Sequence, residues 1–225
     1  RRLKPPSELN WLGTDEFGRD IVSRIIFGAR ASLGIGFLVV VFSMGIGALL
    51  GLVAGYVKAL DTPIMRLADI LLAIFLMAVL GPSAGNVVLA LSIVYAPRVV
   101  RVVRASTLVV SALPFVEAAR ALGVSTLRIL RVHILLNIAS PILVQATFIF
   151  AYAVLAEAGL SFLGAGVPPE VPTWGTMIAA GQQYADDAFW VVLFPGLAIV
   201  LAALSLQLIG DGLRDMLDPK LRKAL

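Results

Sequence analysis

The chain has no cysteine and a single histidine, His133. A disulfide framework, a thiolate metal site and a cysteine nucleophile are therefore excluded. No lysine follows a glycine, so the chain has no Gly-x-x-x-x-Gly-Lys phosphate loop. Charge is also scarce. Only 14% of the 225 residues are charged, against about 25% in a soluble domain. In its place, 60% of the chain is hydrophobic, and that surplus must face something apolar. Runs of about 20 uncharged residues point to lipid. The net charge of +4 does not argue for nucleic acid, because the basic residues are grouped between apolar stretches, as membrane topology demands. His133 has no metal-ligating neighbours in sequence and is expected at a helix end or interface. No metal, cofactor or catalytic group is expected.

Residues 1–20 are polar and turn-rich, with Pro5-Pro6 and Leu12-Gly-Thr-Asp-Glu-Phe-Gly-Arg-Asp20. Asp20 can cap a helix to about Leu33 with Ile21, Val22, Ile25 and Ile26 on one face, which reads as an amphipathic interfacial helix. Residues 1–32 thus form one segment and 33–225 the membrane domain. The first clear span is Leu33–Val57, where Ser43, Gly47, Gly51 and Gly55 recur every fourth residue. Helices in lipid associate through close backbone approach, so this stripe is expected to be a packing seam. Asp61–Arg66 reads as a polar turn, and residues 69–100 supply either two short spans or one span with a re-entrant piece.

Residues 98–133 carry six arginines against Glu117 alone, a net +5, which places them in the cytoplasm. Residues 161–188 carry three acids and no Lys or Arg, as expected outside. The spans Ile134–Leu160 and Phe189–Ile209 flank that loop, and the basic tail 211–225 returns to the cytoplasm. Crossing twice over 69–100 gives five spans with the N-terminal segment outside; crossing once gives four with it inside.

Within the +5 stretch, Ser111 and Pro114 suit a helix start, and Glu117 falls in the first turn, where a carboxylate complements the helix dipole. Ala118, Ala119, Ala121 and Leu122 favour helix, and Gly123 can end it in a left-handed conformation. Ser125 can cap a second helix leading into the span at Ile134. The expected product is a short helix, a glycine corner and a second helix.

These residues resemble a family. Glu117-Ala-Ala119, Gly123 and Ile134-Leu-Leu-Asn137 resemble the EAA loop of ABC-importer permeases. Gly13-Thr-Asp-Glu-Phe-Gly-Arg-Asp20, Gly159-Leu-Ser-Phe-Leu-Gly164, Pro172-Thr-Trp-Gly175, Phe194-Pro-Gly196 and Gly210–Pro219 are similar to the dipeptide/oligopeptide/nickel permeases, and within them to the second of two paired subunits. Leu136 stands where the family usually has proline.

The resemblance implies an all-α transmembrane bundle of the type I importer kind, with about five spans here and one more before Arg1. It implies residence in a prokaryotic inner membrane, and as partners two cytoplasmic ATPases, a homologous sister permease and an extracytoplasmic binding protein. Phe115, Glu117, Ala118, Ala119, Arg120 and Gly123 would form the ATPase-coupling contact. The solute would be a di- or oligopeptide or a related small compound such as a nickel complex.

Four further expectations come from single residues. Glu157, near the outer end of its span, serves the translocation path or an interhelical hydrogen bond, or else reaches interfacial water. Asp69 pairs with Arg66. Trp174, Tyr184 and Trp190 suit an outer aromatic belt. The loop 161–188 faces a binding protein, with Thr176 and Gln182 as crosslinking positions. The competing function is an autonomous secondary transporter or channel, which would want more ionisable groups at mid-membrane than Glu157 and Asp69.

Overall fold

The computed structural model describes residues 2–75 and 81–217, apart from the side chains of residues 68–75 and 217. Its elements are α1 (Ile21–Tyr56), α2 (Lys58–Phe75), α3 (Ala84–Ser111), α4 (Pro114–Ala121), α5 (Thr126–Arg128), a π-helical turn (Ile129–Ile134), α6 (Ala139–Phe162), α7 (Trp174–Gly181), a 3-10 turn (Gln182–Tyr184) and α8 (Trp190–Leu217). Among the described residues there is no strand, and four helices (α1, α3, α6 and α8) are long and apolar enough to cross a membrane. The fold is an all-α transmembrane bundle.

Asp20 starts α1 as expected, its Oδ2 accepting the Ser23 N–H at 2.9 Å. The helix then runs 36 residues without a break. The interfacial segment and the first span are one element, and no proline interrupts residues 21–56. The polar stretch at Asp61 is likewise helical, lying in the first turn of α2 with Pro63 inside the helix. The helix α3 carries Arg98, Arg101 and Arg104 on to Ser111, and α8 continues through Gly210 to Leu217. Whether residues 69–100 cross once or twice turns in part on residues 76–80, outside those described.

The chain divides into two compact units, one of Arg1–Val39, Val79–Leu91 and Phe150–Leu206, the other of Val40–Ala78, Ser92–Ile149 and Gln207–Leu225. In the first, Ile21, Val154, Trp174, Met177 and Trp190 form a buried core. Trp174 and Trp190 therefore depart from the expected aromatic belt. Both are buried, the Trp174 indole N–H donating to the Ile25 carbonyl at 3.0 Å and that of Trp190 to the Thr14 carbonyl at 3.4 Å. An indole near a span end satisfies its one donor as well in a core as at a lipid headgroup.

In the second unit, Val99, Val103, Val116, Ile129 and Ile134 are fully buried. Here the small-residue stripe lies against α3. A Cβ added at Gly51 would stand 2.8 Å from the Val100 carbonyl oxygen, and one at Gly55 2.6 Å from the Thr107 Cβ. Gly47 lies equally close to Val99, and Ser43 is fully buried. Only hydrogen fits at such a backbone approach. The outward residues of the long helices, such as Phe37, Leu49, Leu201 and Leu208, remain apolar and exposed, as a lipid-facing surface requires.

Candidate coupling site

Pro114 occupies the first position of α4, where its missing N–H costs nothing, and Leu113 before it is extended. The helix lasts eight residues. Its end is built from the backbone. Gly123 adopts φ +74°, its N–H donates to the Arg120 carbonyl at 3.0 Å, and the Val124 N–H donates to the Ala119 carbonyl at 3.1 Å. This pair of bonds is a Schellman motif with glycine at its left-handed position. A Cβ on Gly123 would meet nothing within 4 Å, so backbone conformation, not space, requires glycine here.

The helix has two faces. Val116 and Ala119 are buried, while Phe115, Glu117, Ala118, Arg120, Leu122 and Gly123 are exposed. Leu122 is 83% exposed. The exposed face mixes the small Ala118 and Ala121 and the apolar Phe115 and Leu122 with Glu117 and Arg120, a surface that another protein can approach.

Two side chains fix this helix to its surroundings. The Arg120 Nε–H donates to the Tyr56 hydroxyl at 3.1 Å, and its guanidinium lies 4.7 Å from the Tyr56 ring centroid. The Phe115 ring lies 6.3 Å from the His133 ring. Downstream, Ser125 precedes α5 but makes no side-chain cap bond. The chain passes into a π turn, where the Leu135 N–H donates to the Leu130 carbonyl at 2.9 Å. The Asn137 side-chain amide donates to the His133 carbonyl at 2.6 Å, satisfying an acceptor the turn leaves behind. The chain thus turns before α6 without a proline at 136.

The chain matches the family described as binding-protein-dependent transport system inner membrane component over residues 43–223. It belongs to that family. The permease is 50% identical over 228 residues to a Brucella suis chain named for a peptide transport system permease, covering 98% of this chain and 77% of that one. It is 49% identical to a dipeptide transport system permease protein of Escherichia coli strain K12, covering 98% and 78%. It is 48% identical to a di/tripeptide transport system permease protein of Pseudomonas aeruginosa, covering 99% and 78%. Among solved structures, a chain of the MetNI methionine ABC transporter in inward-facing conformation superposes with TM-score 0.69 at 18% identity, covering 88% of this chain and 98% of that one. That likeness establishes the fold. The permease is an inner-membrane subunit of an ABC importer.

Elsewhere in the permease, Glu157 is fully buried. Two serines serve its two oxygens. The Ser32 hydroxyl donates to Oε2 at 3.1 Å and accepts the Trp174 N–H at 3.1 Å. The Ser161 hydroxyl donates to Oε1 at 2.8 Å and accepts the Val167 N–H at 3.1 Å. One carboxyl group thereby joins α1, α6, the loop after α6 and the start of α7. The Ser32 bond runs between α1 and α6, and the carboxyl has no exposed surface.

Asp61 on α2 and Arg104 on α3 form a two-toothed ion pair that sequence reading did not find. Tyr56 was missed as well. Its only signal is its place at the end of the small-residue helix, 64 residues from Arg120. Asp69 lies among the residues whose side chains are not described. Thr176 is buried in a reciprocal cap with Thr173, each N–H donating to the other's hydroxyl, at 2.9 and 3.1 Å, so it is no crosslinking position. Gln182 is exposed.

Proposed function

We propose that this chain couples the closure of two cytoplasmic ATPase subunits to alternating access in a peptide importer, through the exposed face of α4 and its Gly123 corner. The observation that carries the reading is the division of labour in α4. Its shape is set by Pro114, the left-handed Gly123 and the buried Val116 and Ala119, so Glu117, Ala118 and Leu122 stand free on one short helix, with Phe115 exposed beside His133. A short rigid helix transmits displacement, whereas a floppy loop absorbs it. Arg120 on Tyr56 ties that displacement to the end of α1.

ATP can drive transport only if the ATPases hold the two permease orientations with different free energies. Contacts at α4 that differ between the two states supply that difference. The names of the relatives support short peptides as the solute, with a sister permease beside this chain and a binding protein delivering to the loop 161–188. Residues 1–32 then lie on the outer side.

Reconstitution of the assembled transporter in proteoliposomes tests the reading. Gly123→Pro and Glu117→Lys should leave insertion and subunit assembly intact and abolish uptake while ATP is still hydrolysed. Unchanged uptake in either variant contradicts it. A photo-crosslinker at Gln182 should capture the binding protein during turnover; its failure to do so would count against the placement of that loop.

A further inference from the structure

A cleft of about 410 Å³ opens between the N-terminal segment and the loop and helix before α8, within the first unit. Binding pockets for small ligands run from about 300 to 1,000 Å³. Its lining includes Arg2, Arg19, Arg24, Glu170, Phe17 and Tyr184.

The positive side is pre-arranged. Asp15 is 4% exposed at its side chain, and its Oδ2 accepts from Arg19 Nε and from Arg24 Nη1, each at 2.7 Å. The two donor nitrogens are therefore within about 5.4 Å of each other. The Asp15 Oδ1 accepts the N–H groups of Phe17 and Arg19 at 2.9 and 2.8 Å, which clamps the turn that carries both. Burial raises the Asp15 pKa, but these bonds from Arg19 and Phe17 outweigh it, so the carboxyl lies below its usual range and stays charged. Glu16 stands 3.5 Å from Arg19 Nη2. The Arg19 guanidinium also lies 4.6 Å from the Phe17 ring centroid, which stiffens it further.

Charge is divided between the two segments that line the cleft. On the N-terminal segment Arg2, Arg19 and Arg24 face the cleft with Glu16, and the buried Asp15 behind them brings that side to a net +1. On the other segment Glu170 contributes −1 beside Pro169, Ala180 and Tyr184. A cleft with a net positive wall on one side, Glu170 on the other and aromatic rings in its lining suits neither a plain anion nor a plain cation. It suits a molecule carrying both signs. Each guanidinium has five N–H donors, so one bond to Asp15 leaves capacity for a second carboxylate.

We propose that this cleft is a binding site for a small zwitterion, an amino acid or short peptide, with its carboxylate on Arg19 and Arg24 and its ammonium group on Glu170. The site deepens the proposed function, on which its use in transport rests: solute would meet the permease at a surface site distinct from the spans. Arg19 and Arg24 act as paired donors in a fixed geometry. Phe17 and Tyr184 cover the body of the ligand. Size is limited by the cleft, so a long peptide would leave one terminus outside it.

The test uses the assembled transporter in nanodiscs, without nucleotide or binding protein, titrated calorimetrically with alanyl-alanine, its N-acetyl form and its C-terminal amide. Saturable binding of alanyl-alanine is expected, with each capped form at least about tenfold weaker, because a site built to pair a charged group rejects the analogue lacking it. Glu170→Gln should erase the preference for the free amine over the acetylated form. Gln183→Trp, at an exposed position lining the cleft, should fill it and abolish binding without lowering the melting temperature. Absence of saturable binding in a transporter whose ATP-driven uptake is intact overturns the site and leaves the importer reading standing. Binding unaltered by Glu170→Gln and Gln183→Trp overturns it too. Binding with the expected selectivity in a complex that shows no ATP-driven uptake keeps the site and refutes the importer reading.

Discussion

At the Gly123 corner the backbone does the holding, whereas at Glu157 side chains do. The corner is closed by two main-chain bonds and a left-handed glycine, and most of its side chains remain exposed. Around Glu157 two serine hydroxyls relay two backbone N–H groups to one carboxyl, and every side chain involved is buried. The difference is what the proposed roles of the two regions call for. A surface that must meet a partner is shaped by its backbone so that its side chains stay available. A junction that must hold helices together consumes its side chains internally.

The contrast is broken most severely at Glu157. Glu157→Ala removes the acceptor of both serines in a buried site and should cost about 3 kcal/mol, combining a cavity with orphaned hydroxyls. It should appear as a lower melting temperature of the purified transporter, and Glu157→Gln should restore much of it. Next comes the seam. Gly51→Val forces side-chain atoms against the Val100 carbonyl and should cost about 2 kcal/mol by overpacking, seen as the same loss of thermal stability.

The corner should respond differently. Gly123→Ala keeps the helix but strains the left-handed residue by about 1 kcal/mol, so uptake should fall more than stability does. Tyr56→Phe keeps the ring under Arg120 and loses only the hydroxyl, so its uptake should be nearer to native than that of Tyr56→Ala.

The smallest effect is one of pH. Asp15 has a depressed folded-state pKa, so its bonds stabilise the N-terminal segment above the ordinary carboxyl value of about 3.9. That contribution is lost as pH falls from there through the lower folded value. Hydrogen exchange of the Phe17 and Arg19 amides should rise over that acidic window, relative to an Asp15→Asn control.

The corner was legible in the sequence because its code is local. Proline, alanines and glycine within ten residues each act on their own backbone. The same holds for the Asp20 cap and for the stripe from Ser43 to Gly55, whose period marks a close face without saying which helix meets it. The partners of Glu157 were illegible for the opposite reason. Ser32 lies 125 residues away, and no local pattern reports such a meeting. Arg120 on Tyr56 and Arg104 on Asp61 were hidden in the same way. Trp174 and Trp190 read as a belt because an indole at a span end has the same pattern whether lipid or protein covers it. Boundaries shifted where polar residues sit inside helices. Asp61 and Asp211 look like loop chemistry until the uninterrupted helix is seen.

A photo-crosslinking amino acid in place of Leu122, which is 83% exposed at the α4 corner, gives the most direct measurement of that corner's role. In the active reconstituted transporter it should form an adduct with an ATPase subunit, and its yield should change between the nucleotide-free and ATP-bound states. An active transporter in which Leu122 captures no ATPase in either state would contradict the account.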